Sequence, residues 1–97
     1  MTATLTDRVE IAPDVVFRAL GSEAIILNLE SGVYFGLNDV GTRVWTLLVD
    51  HDLRATVGAL VDAYDAPAAQ IEADVLALVD ALVAKGLVTL VPAGNAR

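Results

Sequence analysis

The stretch Gly32-Val33-Tyr34-Phe35-Gly36-Leu37-Asn38-Asp39-Val40-Gly41-Thr42-Arg43-Val44-Trp45 constrains the fold more than any other part of the chain. Val33 to Leu37 is rich in β-formers and follows a Ser31-Gly32 turn, which predicts a short strand. Asn38-Asp39 are residue types that accept backbone N–H bonds at helix N-termini, so a helix is expected to start there. A strand that leaves its sheet directly for a helix reads as an edge strand. Its unpaired backbone groups are available to pair with a peptide.

The rest of the chain arranges itself around this junction. Before it, Val9 to Leu20 reads as β, with Val15-Val16-Phe17 behind Pro13-Asp14. Gly21-Ser22-Glu23 reads as a turn, and Ala24 to Leu29 as a second β-rich run. Glu30-Ser31-Gly32 is a turn in which Gly32 suits a positive φ. Connections this short imply an antiparallel meander of three strands. After the junction the pattern turns helical. Val40, Val44, Leu47 and Leu48 recur at helical spacing, then a polar break runs from Asp50 to Arg54. Val57, Leu60, Val61 and Tyr64 mark a second helix, with Thr56 as its N-cap candidate. Pro67 suits the first turn of a third helix, whose apolar stripe is Ile71, Val75, Leu78, Val79, Leu82 and Val83. Lys85-Gly86 ends that helix, and Leu87 to Val91 returns as a short extended segment. Strands first and helices after predict an α+β domain with a three-stranded antiparallel N-terminal sheet and three helices packed on one face. The last two helices read as a helix-turn-helix pair, so the arrangement is winged-helix-like.

The 97 residues suffice for one domain, residues 1–97, with a modest core across about residues 9–91. A hydrophobic content of 56% marks a folded chain and not a disordered one. With no cysteine there is no disulfide framework and no cysteine nucleophile or metal site. No apolar run approaches the ~18 residues of a membrane span, and no secretory signal is visible, so a cytoplasmic protein is expected. The net charge is −7, and the six basic residues are scattered. Nucleic-acid binders need clustered positive charge, so the charge argues against DNA, RNA and anionic membranes as partners. Enzyme readings fail as well. Gly32, Gly36 and Gly41 are too far apart for a phosphate loop. Ser22 and Ser31 lie in turns without a nucleophile-elbow context. Asp50 and Asp52 flank the one histidine, His51, where a weak metal site competes with a solvated loop, the better reading. No catalytic residue, metal or cofactor is expected.

Binding features remain. Tyr34 and Phe35 are adjacent on a strand and must face opposite sides. One packs under the helices; the other either contacts a partner or only shields the outer face. Phe17 is expected in the core, Trp45 in the core or half-buried, and Tyr64 in the core with its hydroxyl at the rim. Gly36 either admits another backbone closely or bulges the strand. On the third helix Ala73, Ala77, Ala81 and Ala84 form a smooth flank beside the stripe, with Asp74, Leu78 and Lys85 between. That flank is either one wall of a peptide groove or ordinary solvent-facing alanine.

The pattern Gly21-x-Glu23, Leu27-x-Leu29-x-Ser31-Gly32-x-Tyr34-Phe35-x-Leu37-Asn38-x-x-Gly41-x-x-x-Trp45 resembles the PqqD family, which includes the D-protein of pyrroloquinoline quinone biosynthesis. Asp74-Val75-x-x-Leu78-Val79-x-x-Leu82-x-x-x-Gly86-Leu87-Val88 resembles its C-terminal pattern, so the likeness spans roughly residues 14–91. The resemblance implies a RiPP recognition element: a small non-catalytic adaptor that binds the leader of a ribosomally made precursor peptide and presents it to a separate enzyme. It implies that the leader adds as a strand beside Val33, Tyr34, Phe35, Gly36 and Leu37. Asp74, Leu78, Ala81 and Lys85 would line the helix wall. The partner enzyme would be a leader peptidase, as in lasso-peptide clusters, or the radical enzyme of the quinone pathway. A stand-alone monomer or weak homodimer is expected, since the exposed third strand can also pair with itself. Two other readings stay open: a winged-helix transcription regulator, and a structural subunit using the same groove for another protein.

Overall fold

A computed structural model describes residues 7–92. The order of elements is β1 (Asp7–Ile11), β2 (Val15–Leu20), β3 (Glu23–Asn28), β4 (Tyr34–Leu37), α1 (Asp39–Asp50), α2 (Leu53–Ala63), α3 (Ala68–Ala84) and β5 (Val88–Pro92). The expected three-stranded antiparallel sheet is present in the order β2-β3-β4, and three helices follow it. The β run expected from Val9 to Leu20 divides into two strands at Pro13-Asp14, where Asp14 takes φ +65°. That left-handed residue turns the chain out of one ladder and into another. β1 instead pairs antiparallel with β5, from Asp7↔Pro92 to Ile11↔Val88. The extended C-terminal segment thus closes a separate two-stranded ribbon.

Local chemistry sets most boundaries. Gly21 and Gly32 both adopt positive φ in the two hairpin turns, as expected of Gly32. Asn38 caps α1 by accepting from the Gly41 N–H at 2.8 Å. α3 ends in a Schellman motif: Gly86 at φ +73° donates to the Val83 carbonyl, and Leu87 donates to that of Leu82. The N-cap of α2 is a correction. Asp52 takes that role, its side chain accepting from Ala55 N–H at 2.7 Å. Thr56 is a fully buried residue of the helix, its hydroxyl donating to the Asp52 carbonyl. The carboxylate one turn earlier reaches the free amides first, and Thr56 satisfies its hydroxyl inside the helix.

The core forms where the inner sheet face meets the helices. Ala24 and Ile26 of β3 are buried beside Val44, Trp45 and Leu48 of α1. Leu53, Val57 and Leu60 of α2 and Ile71, Val75, Val79 and Leu82 of α3 join it, as do Leu37, Leu87 and, from the β1–β5 ribbon, Val9 and Val88. Burying such a side chain contributes about 1.5–3 kcal/mol each. Two aromatics depart from expectation. Phe17 stays 38% exposed on the outermost strand of its sheet, stacked on buried Trp45 with ring centroids 6.0 Å apart. Tyr64 is 37% exposed because it is the residue at which α2 ends.

Candidate functional site: the β4 edge and its helical wall

β4 is the site's first component, and its hydrogen-bond parity follows from two observations. Asn28 N–H donates to the Val33 carbonyl at 2.9 Å. The register then runs Leu27↔Tyr34, Ile26↔Phe35, Ile25↔Gly36, Ala24↔Leu37. Bonded and non-bonded positions alternate in an antiparallel ladder. Phe35 and Leu37 therefore direct their backbone groups to β3, whereas Tyr34 and Gly36 direct theirs away from it. Among the described residues, β4 has no strand on that second side. It is an edge with two residues' worth of backbone donors and acceptors facing out.

The side chains divide the same way. Leu37 is buried and Phe35 packs against the core, so Phe35 is the inward aromatic of the pair. Tyr34 is 67% exposed on the outer face. Gly36 keeps an unbroken register with Ile25, so it makes no bulge. Space for a Cβ there is open, with nothing within 4 Å. Val33 precedes the strand and is tied to the turn, its N–H donating to Ser31 Oγ at 3.2 Å.

The second component is an apolar cavity of about 240 Å³ just past the end of β4. Its walls are the first turns of α1 (Val40, Gly41, Val44), the end of α2 (Leu60, Tyr64) and the first half of α3. α3 supplies Asp74 and Leu78 to it, and Asp74 is the one charged group in the lining. A protein cavity of about 150 Å³ is enough for benzene, so this one has room for an aliphatic or aromatic side chain. Gly41 lets α1 pack closely under the end of β4: a Cβ there would meet Leu37 Cδ2 at 3.2 Å. Asp74 is oriented by Gln70, whose Nε2 donates to its Oδ1 at 3.0 Å.

The structure thus brings Asp74 and Leu78 together with α1. Ala81 and Lys85 follow on the same flank of α3, one and two turns on, but do not reach the cavity. Ala81 is half-buried, and Lys85 is the exposed C-cap. Val40 and Tyr64 were missed as wall residues because both belong to apolar helical stripes that read as core. Val40 is nonetheless 45% exposed, and its place in the first turn after a cap was the available signal.

Asn28 ties the turn before β4 to the C-terminal end of α3, beyond the part of that helix that lines the cavity. It is only 8% exposed. Its Oδ1 accepts from the N–H groups of Glu30 and Ser31 at 2.9 and 3.1 Å, forming the turn that launches β4. Its Nδ2 donates to the Gly86 carbonyl at 3.3 Å, just past the end of α3. A single amide therefore fixes the start of β4 relative to the end of the helix opposite. At the Asp50–His51–Asp52 break, His51 Nδ1 lies 3.0 Å from the Leu47 carbonyl while Asp52 caps α2. Among the described residues, no group of three or more His, Cys, Asp or Glu is placed to hold a metal ion. None of the described helices is long and apolar enough to cross a membrane.

The family model for coenzyme PQQ synthesis protein D matches residues 23–88, from β3 to the start of β5. The chain belongs to the PqqD family. Two solved structures share its fold. One is TbiB1 in complex with the TbiA(β) leader peptide: 32% identity over 81% of this chain and 93% of that one, TM-score 0.77. The other is a lasso peptide synthetase B1 complexed with the leader peptide: 25% identity over 84% of this chain and 98% of that one, TM-score 0.74. No curated protein matches the chain at the level of sequence. Both structural neighbours of this family member are therefore proteins with a leader peptide bound.

Proposed function

We propose that this chain is a non-catalytic adaptor. It binds the leader of a ribosomally made precursor peptide by strand addition along β4 and presents it to a separate modifying enzyme in the cytoplasm. The observation that carries the reading is the outward-facing backbone of Tyr34 and Gly36 beside an apolar cavity sized for one side chain. The open edge supplies main-chain bonds, and the cavity supplies register by accepting one apolar anchor of the leader. Asp74 at the cavity favours a leader with a basic or hydrogen-bond-donating residue beside that anchor. Val33 to Leu37 form the strand side, with the ladder bonds supplied by Tyr34 and Gly36; Asp74, Leu78, Ala81 and Lys85 form the helix wall. The leader complexes of both structural neighbours support the same assignment. As a DNA reader the chain is poorly suited, since α3 carries Glu72, Asp74 and Asp80 and no basic residue.

The parity of β4 provides the test. Gly36→Pro removes an N–H that points away from the sheet, whereas Phe35→Pro removes one that bonds Ile26. The probe is the fluorescent leader of the precursor encoded beside this chain, with a scrambled leader as control. Saturable binding of the first alone is expected, weakened about tenfold by Gly36→Pro in a protein that still folds. Phe35→Pro should lower the melting temperature instead. A well-folded native protein that ignores the leader, even with the modifying enzyme present, would overturn the proposal.

A further inference from the structure

The chain has a second open edge. β2 is the other outermost strand of the sheet, and among the described residues only β3 pairs with it. Its parity is fixed by the Leu29 N–H, which donates to the Asp14 carbonyl at 2.8 Å, continuing the register Val15↔Asn28 to Leu20↔Glu23. By the same alternation Val16, Arg18 and Leu20 bond to β3. Val15, Phe17 and Ala19 direct their N–H and C=O groups outward.

This edge is also the least protected. From Val16 to Leu20 every residue is exposed, and the stack of Phe17 on Trp45 covers only part of the strand's inner face. Val16, Phe17, Leu20 and neighbouring Ile25 are 43, 38, 57 and 38% exposed. Proteins usually guard open edges with charges, proline or brevity. β1 has Asp7, Arg8 and Glu10, β5 ends at Pro92, and β4 has only four residues. β2 has six residues and one charge, Arg18.

We infer that β2 pairs with β2 of a second copy of this chain, antiparallel about a two-fold axis through Phe17. That register sets Val15 against Ala19 of the partner and Phe17 against its counterpart. All three outward-facing residues then pair, since an antiparallel edge is complementary to itself. Val16 falls opposite the partner's Arg18, which keeps the two arginines off each other. The product is a continuous six-stranded sheet, β4-β3-β2-β2-β3-β4. Its two β4 edges lie at the outer ends, roughly 24 Å apart at normal strand spacing. Both therefore stay open, so pairing does not compete with any ligand of β4. The four exposed apolar side chains leave at most about 300 Å² per copy to bury, well short of the roughly 800 Å² per partner of a stable interface. The dimer is accordingly weak and concentration-dependent, opposed by a charge of −7 on each copy.

Sedimentation velocity of the full chain, from dilute to concentrated, reads the association. Ala19→Pro deletes an outward N–H, twice in a symmetric dimer, without touching the β2–β3 ladder. It should weaken association about thirtyfold while the melting temperature barely moves. The native chain has no cysteine, so a cross-link reads the register. Val16→Cys with Arg18→Cys places thiols at about 4.5 Å between Cα atoms, within disulfide range. Mild oxidation should give a covalent dimer, far faster than with Val16→Cys alone. A chain that stays monomeric at all concentrations would overturn the inference. So would a dimer indifferent to Ala19→Pro and to the cysteine pair, because its interface would lie elsewhere. Leader binding, read separately by anisotropy, should be unchanged in Ala19→Pro.

Discussion

Replacing Asn28 tests how the two sides of the site are held together. Its side chain makes three hydrogen bonds from a nearly buried position: two accepted from Glu30 and Ser31, one donated to Gly86. At about 1 kcal/mol net per bond, with part of the loss recovered by water at the exposed turn, Asn28→Ala should cost about 2–3 kcal/mol. In a domain of this size that lowers the melting temperature by roughly 10–20 °C. Asn28→Asp is the sharper variant. It keeps the acceptor for Glu30 and Ser31 but sets a carboxylate oxygen against the Gly86 carbonyl, where 3.3 Å now separates donor and acceptor. The N–H groups of Glu30 and Ser31 favour the charged form, but burial and the facing Gly86 carbonyl oppose it and should win, raising the folded-state pKa of the new carboxyl above its unfolded value of about 3.9. With a raised folded pKa, the native state holds more protons than the unfolded state. Stability is then lost as pH rises through the folded pKa and regained on acidification. Urea unfolding followed by Trp45 fluorescence, at neutral and acid pH, should show Asn28→Asp at least as destabilised as Asn28→Ala at neutrality. On acidification it should recover relative to Asn28→Ala, as the protonated carboxyl donates to Gly86. If Asn28→Asp matched the native stability at neutral pH, or the gap to Asn28→Ala did not change with pH, the Asn28–Gly86 bond would not be a structural tie.

Other outcomes follow from the same structure. Leu78→Lys puts an ammonium into the apolar cavity wall and should weaken leader binding at least about tenfold by anisotropy, whereas the volume-conserving Leu78→Met should stay near native. Gly86→Ala meets no steric obstacle, so its loss of about 1–2 kcal/mol in chemical denaturation reports the positive φ alone. Asp52→Ala removes the α2 cap and should cost about 1 kcal/mol, with the earliest loss of amide-exchange protection in the first turn of α2.

Much of this was legible in local chemistry. Asn38, Gly32 and Gly86 each impose a conformation their neighbours cannot supply, so the β4–α1 junction and the end of α3 could be placed from residue types. The edge character of β4 followed from its direct passage into α1. Other features depend on distant parts of the chain. β1 joins β5 because Ile11 meets Val88, and nothing near Pro13-Asp14 says which ladder its flanking strands will join. Alternation set Tyr34 and Phe35 on opposite faces, but only the pairing of Phe35 with buried Ile26 says which is inside. The cavity lies where three helices converge, so its residues look like three separate apolar stripes. Phe17 and Tyr64 have core-like side chains at positions where their elements run out of neighbours. Thr56 was the cap candidate because Asp52 lay inside what read as a polar break, and α2 in fact starts at Leu53, one residue after Asp52.

The pairing of Asp7 with Pro92 brings the two ends of the described chain side by side. A module whose entry and exit are adjacent can be spliced into a surface loop of another protein without prying that loop apart. It can equally be re-cut, with a short bridge joining the old ends and new ones opened at the Gly21-Ser22 turn. The β1–β5 ribbon is in this sense a clasp. Because that ribbon is a sheet separate from β2-β3-β4, a splice at the clasp leaves the ladder that holds β4 unbroken.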